Sequence, residues 1–359
     1  MIYLFWVFNF FVISTNGGRY IIANYGLDLI FNTYIFLSFL LLFFLFNLLS
    51  KRNITDRLNI HFFICGIYLL FFNLFSFLFG GNLSYFFASF LLISSYYIGS
   101  MSFFTIRKFV IFSLIFMFIY TFIKILSGFF GFNILPFTDI RYDYLASDGV
   151  LRFSNSIVFG QRNAAGSAVA CLFLVYSSLV YVKYIKFSVS IFLAFLFLGL
   201  SAFSATSVLV MLATFILISQ IKLTNIFWFS SFIGISLLMM GGFFRKIDSL
   251  NLKIKLFFEY FESLSLQSFF IGSSAFEASR VWVESSLLDM IIDIGFLIPF
   301  TLLLHFAYFF LKNIDNLRMG LLYSMFLVLF IISNSSTQPP MIICLILSYN
   351  ILNRKSNTL

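Results

Sequence analysis

Charge is what this sequence has least of. Only 10% of its 359 residues are Asp, Glu, Lys or Arg, and the 13 acids are outnumbered by 22 bases. Histidine occurs twice, cysteine three times and proline four times. The scarcity of charge argues against a soluble globular domain. With 62% of residues apolar and 22% aromatic, and a mean hydropathy of +1.05, a chain of this length lacks the polar surface to cover the core it would have to bury. The scarcity of histidine and acid leaves no His/Asp/Glu cluster with metal-ligand spacing, so no metal and no cofactor is expected. Cys65, Cys171 and Cys344 lie inside apolar runs without CxxC spacing and read as small buried residues, neither ligands nor disulfide partners. A net charge of +9 would point to nucleic acid in a soluble protein. Here most Lys and Arg sit in short turns between apolar runs, so nucleic acid is not an expected partner.

What is present in abundance is long apolar runs. A bilayer core takes about 20 helical residues to cross, and cutting the chain at its charged or Gly/Asn/Pro interruptions yields about twelve such runs. They fall at 2–14, 30–49, 60–79, 83–105, 109–130, 163–182, 187–203, 205–220, 225–243, 286–311, 319–334 and 338–352. A re-entrant hairpin would also fit around Ser204. The expectation is an all-α polytopic integral membrane protein, one transmembrane domain over 1–359. Met1 to Ser14 has no basic stretch before it and no clear cleavage site, and reads as a short first span kept in the mature chain.

Orientation follows from the bases. Lys51, Arg52, Arg57, Arg107, Lys108, Lys183, Lys186, Lys222, Lys312, Arg318, Arg354 and Lys355 share one set of linkers, while the short linkers opposite hold only Arg19. Both termini are therefore expected on the cytoplasmic side of the membrane. Two linkers are long, 131–162 and 244–285, and both fall outside. They carry Arg141, Arg152, Arg162, Arg245, Lys246, Lys253, Lys255 and Arg280. Long loops are exempt from the orientation rule, so these bases need another reason to be there. Solvated loop surface, offset by Asp139, Asp143, Asp148, Asp248, Glu259, Glu262 and Glu277, is one reason. An anion site is the other, and the planar guanidinium suits phosphate because it donates two parallel hydrogen bonds and stays charged.

Two segments concentrate this chemistry. Arg152 to Gly166 ends the first long loop and opens the next helix: Gly160 permits a tight turn, Asn163 can cap the helix, and Ala164, Ala165 and Gly166 allow close packing. A helix N-terminus beside Arg152 and Arg162 is a natural seat for phosphate. Glu277 to Gly295 ends the second long loop and enters the membrane. Glu284 falls at the water boundary, with Asp289 and Asp293 deeper and one turn apart on a single helix face. Carboxylates at that depth are costly and normally face a polar cavity or a partner. A structural hydrogen bond or ion pair is the alternative to a catalytic role for both aspartates.

The stretch Phe159-Gly-Gln-Arg-Asn163 after Arg152 resembles the Arg…Gly-x-Phe-x-x-x-Asn pattern before a mid-chain helix in the O-antigen polymerase and ligase superfamily. Glu284-Ser-Ser-Leu-Leu…Gly295 resembles the helix entry after the large outer loop of its Wzy-type polymerases. An Arg-x10-Gly motif is missing: eleven residues after Arg141, Arg152 and Arg280 stand Arg152, Asn163 and Ile291. The ligases typically carry a histidine near the end of the large outer loop, and this loop has none, which favours polymerase. The resemblance implies a GT-C-like membrane glycosyltransferase using undecaprenyl-pyrophosphate-linked glycan as donor and acceptor, working without a metal, with membrane lipid and a chain-length regulator protein as partners. In that frame Arg152 and Arg162 hold the donor pyrophosphate, Arg245 or Arg280 closes over it, Glu284 orients or deprotonates the acceptor hydroxyl, and Asn163, Asp289 and Asp293 support them. Tyr142, Tyr144 and Trp282 would line the glycan, although Trp282 also fits an interfacial anchor. A ligase joining finished glycan to lipid A core, and a lipid-linked oligosaccharide flippase or other transporter, remain the alternatives.

Overall fold

The computed structural model describes residues 60–78, 86–99, 101–130, 162–201, 205–219, 286–332 and 339–356, with single positions between 251 and 272. Its elements are α1 (Ile60–Leu78), α2 (Phe86–Ile93), α3 (Ser95–Gly99), α4 (Phe103–Phe130), α5 (Arg162–Tyr181), α6 (Val189–Ser201), α7 (Ala205–Ser219), α8 (Ser286–Ile294), α9 (Leu297–Lys312), a 3₁₀ turn (Ile314–Asn316), α10 (Leu317–Ile332) and α11 (Pro339–Ser356). Among the described residues the fold is all helical, without a strand. The predicted runs at 2–14, 30–49 and 225–243 lie outside them. So does the first long linker up to residue 161.

Uninterrupted apolar sequence with few glycines and prolines explains the helices, and apolarity all round explains how they pack. A helix without a polar face either is enclosed by protein or faces something apolar. The chain uses both solutions. Every side chain of α5 from Gly166 to Leu179 is buried, and α4, α6, α7, α10 and α11 surround it. The outward faces carry large apolar groups instead: Phe71 on α1, Phe112 and Phe122 on α4, Leu304 and Leu311 on α9 are at least half exposed or close to it. Polar side chains sit within, among them Asn73, Ser113, Ser177, Thr214, His305 and Ser348. Among the described residues one continuous stretch, Ile314–Ile331, is 18 residues long and apolar enough to cross a membrane by length and composition, and the other apolar stretches found there are shorter.

Side-chain contacts gather one set of helix ends together. Lys312 Nζ at the end of α9 donates to Asn353 Oδ1 on α11 at 2.9 Å. Arg354, the next residue of α11, donates to the carbonyls of Met101, at 2.9 Å, and Gly99, and its guanidinium lies over the Phe103 ring that opens α4. Phe103 in turn meets Tyr184, just past α5, at 5.2 Å between ring centres. Tyr181 Oη bonds Asn316 in the turn before α10, and Phe187 before α6 meets Phe215 near the end of α7 at 5.4 Å. Arg107, Lys108, Lys183, Lys186, Lys312, Arg318 and Arg354 all belong to this end, as their shared set of linkers predicts.

Three boundaries differ from expectation. The predicted linker at Arg107 and Lys108 is inside α4, and the runs 83–105 and 109–130 are separated earlier, after Gly99. Arg and Lys are good helix formers, and Lys108 reaches back over the Phe104 ring at 4.3 Å, so two bases do not end a helix. Ser102 does start one: its Oγ accepts from the Thr105 N–H at 3.2 Å, a cap at the first free N–H groups. The predicted run 286–311 is broken into α8 and α9. Gly295 between them has φ +81°, the left-handed conformation that commonly ends helices and that glycine adopts without a Cβ clash. Finally, α5 begins at Arg162, so Asn163 lies in its first turn and does not occupy the expected cap position.

Candidate functional site

The α8–α9 break organises the part of the predicted site that the structure describes. Among the described helices α8 is strongly two-faced, and its Asp289 and Asp293, i and i+4, stand on one side. Both are buried, at 8% and 3% exposure, in a helix that packs against α9 and α10. Burial of the two carboxylates is as expected from their position in the sequence.

The far part of the second long linker docks on the same break. Gly272 has φ +86° and sits so close that a Cβ there would overlap the Asp293 carbonyl and the Ile294 nitrogen. Phe296 N–H, left without a helical partner by the break, donates to the Phe269 carbonyl at 2.9 Å. The two rings stack at 5.1 Å with 16° between planes. Tyr68 Oη on α1 donates to the Phe270 carbonyl at 3.3 Å. Thus the linker is held by backbone hydrogen bonds and aromatic stacking, both of which an irregular segment needs when its polar groups leave water.

Arg280 and Glu284 lie outside the described residues, and the described positions nearest to them in sequence are Gly272 and Ser286. Gly272 touches Asp293, and Ser286 opens α8 two turns earlier, about 10 Å away along the axis at 1.5 Å per residue. Arg152 and Arg245, together with Tyr142, Tyr144 and Trp282, are also outside the described residues. Arg162 and Asn163 open α5, the enclosed central helix, and only their backbone is described. The structure thus joins Asp289 and Asp293 to the second linker.

Gly272, Phe269 and Phe296 were not among the residues singled out in the sequence. Glycine in a linker is too common a signal, and Phe269 and Phe296 are two of 58 phenylalanines. Among the described residues no group of three or more His, Cys, Asp or Glu side chains is placed to hold a metal ion. No family model, curated protein or solved structure matches this chain.

Proposed function

We propose that this protein is a polytopic inner-membrane glycosyltransferase of the GT-C-like kind, with about twelve spans, that polymerises undecaprenyl-pyrophosphate-linked repeat units at the outer face. The observation that carries this reading is the broken helix α8–α9: two buried carboxylates, Asp289 and Asp293, lie where the linker bearing Arg280 and Glu284 is pinned. It is supported by the gathering of the described basic turns at one end of the bundle, which sets the break at the other. It is also supported by the burial of hydroxyls such as Ser113, Ser177 and Thr214 while large apolar side chains such as Phe71, Phe112 and Leu311 lie on the outer face.

The chemistry follows from the leaving group. A hydroxyl of one lipid-linked repeat attacks the anomeric carbon of the growing chain, the bond to pyrophosphate breaks, and the hydroxyl proton passes to Glu284. Pyrophosphate leaves readily once its charge is held, so the demand is for cations at Arg152, Arg162, Arg245 and Arg280 more than for a strong acid. Asp289 and Asp293 keep the second linker's end and its arginines oriented toward the break.

A broken helix with buried charge is also how many transporters build a substrate site. The second reading is accordingly a lipid-linked oligosaccharide flippase. One experiment separates the two: deletion of the gene in the source strain, followed by rescue with wild type or Glu284→Gln and a gel of surface polysaccharide. The proposal expects surface lipid core with a single repeat, loss of the long ladder, and no ladder with Glu284→Gln. Core without any repeat would reject the polymerase and leave ligase or flippase. A full ladder from Glu284→Gln would reject Glu284 as the proton acceptor.

A further inference from the structure

At the end of the bundle where Arg107, Lys108, Lys183, Lys186, Lys312, Arg318 and Arg354 gather, Asp315 is the one acid among the described residues. We propose that the turn between α5 and α6, with the helix starts packed beside it, binds the phosphate headgroup of an anionic phospholipid such as phosphatidylglycerol through Lys183, Lys186, Arg107 and Arg318. The proposal rests on the membrane placement in the reading above and on none of its chemistry.

Lys183 is where this turn departs from what its own stability favours. Its N–H donates to the Val180 carbonyl at 2.9 Å, and the Tyr184 N–H to the Leu179 carbonyl at 3.0 Å, the paired bonds that close an α-helix through one left-handed residue. That residue is Lys183, at φ +62°, the one non-glycine residue at positive φ among the described residues. Glycine is preferred there because a Cβ crowds the neighbouring carbonyl. The Lys183 side chain is exposed, so core packing does not offset the strain. An orientation signal alone is met by a base anywhere in the turn, and Lys186 supplies one three residues on. A strained backbone under an exposed charge is accounted for when that charge holds a ligand.

Side-chain contacts set two further bases beside this turn. Tyr181 Oη donates to Asn316 Oδ1 in the turn before α10, two residues ahead of Arg318. Tyr184 meets Phe103 at 5.2 Å between ring centres, and Arg107 stands one helical turn from Phe103 on α4. Lys183, Lys186, Arg107 and Arg318 are all exposed. The same segments carry exposed apolar side chains, Tyr184 at 41%, Leu317 at 53% and Val189 at 62%. This pairing selects a lipid over a free anion. Guanidinium and ammonium groups donate to phosphate oxygens, while the apolar groups suit acyl chains and the interface and gain nothing from a soluble phosphate. An anionic headgroup is favoured over a zwitterionic one, whose own cation meets a surplus of bases.

The test uses full-length protein in a neutral detergent, titrated with phosphatidylglycerol, with phosphatidylcholine of the same acyl chains and with inorganic phosphate, and follows the heat-unfolding midpoint and direct lipid binding. Phosphatidylglycerol is expected to raise the midpoint, and the other two to leave it unchanged. Lys183→Gly relieves the left-handed strain, so its lipid-free midpoint is expected to equal or exceed that of the wild type while phosphatidylglycerol binds about fivefold more weakly. Adding Arg318→Gln is expected to bring the loss to about 25-fold. Lys255→Gln removes the same charge from the second long linker and is expected to leave binding unchanged. No shift with phosphatidylglycerol, an equal shift with phosphatidylcholine or inorganic phosphate, undiminished binding by the double variant, or an equal loss in Lys255→Gln would each overturn the site. So would a lowered lipid-free midpoint in Lys183→Gly, which would make the lysine structural. Solubility of the protein without detergent would reject the membrane placement and the site with it. Polysaccharide ladders do not enter the readout, so failure of the site is told apart from failure of the polymerase reading.

Discussion

At the end of the bundle where α9 and α11 finish, Arg107, Lys183, Lys186, Lys312 and Arg318 are exposed. At the α8–α9 break, about 24 Å away along the 16 residues of α9, the described charges are acids, and they are buried. The same composition thus treats charge in two ways. Exposed bases need nothing from the fold but a surface, so any turn can carry them. Buried carboxylates need donors or counter-charges brought by other segments, and here the described end of the preceding linker docks against the backbone at Asp293. The first arrangement is typical of orientation, the second of a site.

The comparison can be broken by substitution, and the largest loss is expected at Gly272. Gly272→Ala puts a Cβ against the Asp293 backbone at a positive φ, which should cost about 3 kcal/mol and free the linker. The heat-unfolding midpoint in detergent reports the loss, and protease cutting between 273 and 285 should rise. An unchanged midpoint would mean the linker is not held there. Gly295→Ala is expected to cost less, about 1–2 kcal/mol, because the strain is that of one left-handed residue without the same overlap. Unfolding of the two variants side by side gives the order, and a larger loss at Gly295 would place the strain in the break itself.

Asp293→Asn keeps the shape of the buried side chain and removes its charge. If the aspartates serve the proposed chemistry, polysaccharide ladders should shorten or vanish while the unfolding midpoint moves by little. A lowered midpoint with a normal ladder would make Asp293 structural. At the basic end Arg354→Met removes two hydrogen bonds to carbonyls at the α3–α4 turn and should cost about 1–2 kcal/mol. The smallest effect is expected for Lys255→Met. Its pairing with Glu259 at 3.6 Å is between side chains 72% and 56% exposed, and such pairs contribute at most a few tenths of a kcal/mol. A loss comparable to Arg354→Met would show that this part of the second linker is more enclosed than its exposure indicates.

Helix positions were the most legible part of the sequence. The runs 60–79, 163–182, 205–220 and 338–352 have counterparts in α1, α5, α7 and α11, within a few residues at either end, because apolar length and helix continuity depend on nearest neighbours in the chain. The interruptions were less legible. Arg107 and Lys108 read as a linker because charge was taken to end a span, yet long basic side chains can follow a helix and reach its end. Gly295 was read as part of a continuous span because a single glycine is tolerated in many helices; here the carbonyl of Phe269 and the ring beside it favour the break. For the site, the burial of Asp289 and Asp293 was readable from two acids in an apolar run. Their neighbours Gly272 and Phe269 were not, since contacts between residues some twenty positions apart leave no local signal.

By itself the sequence determined that the described chain would be helical and where most helices lie. Those properties are set by composition and by interactions within a turn or two. Only the tertiary structure decided which helix would be enclosed on all sides, where a span would break, and which segment would dock against that break. It also brought His61 to His305 across 244 positions. Such pairings depend on which surfaces exclude one another from solvent when the chain packs, a property of the whole fold that no short stretch of residues carries.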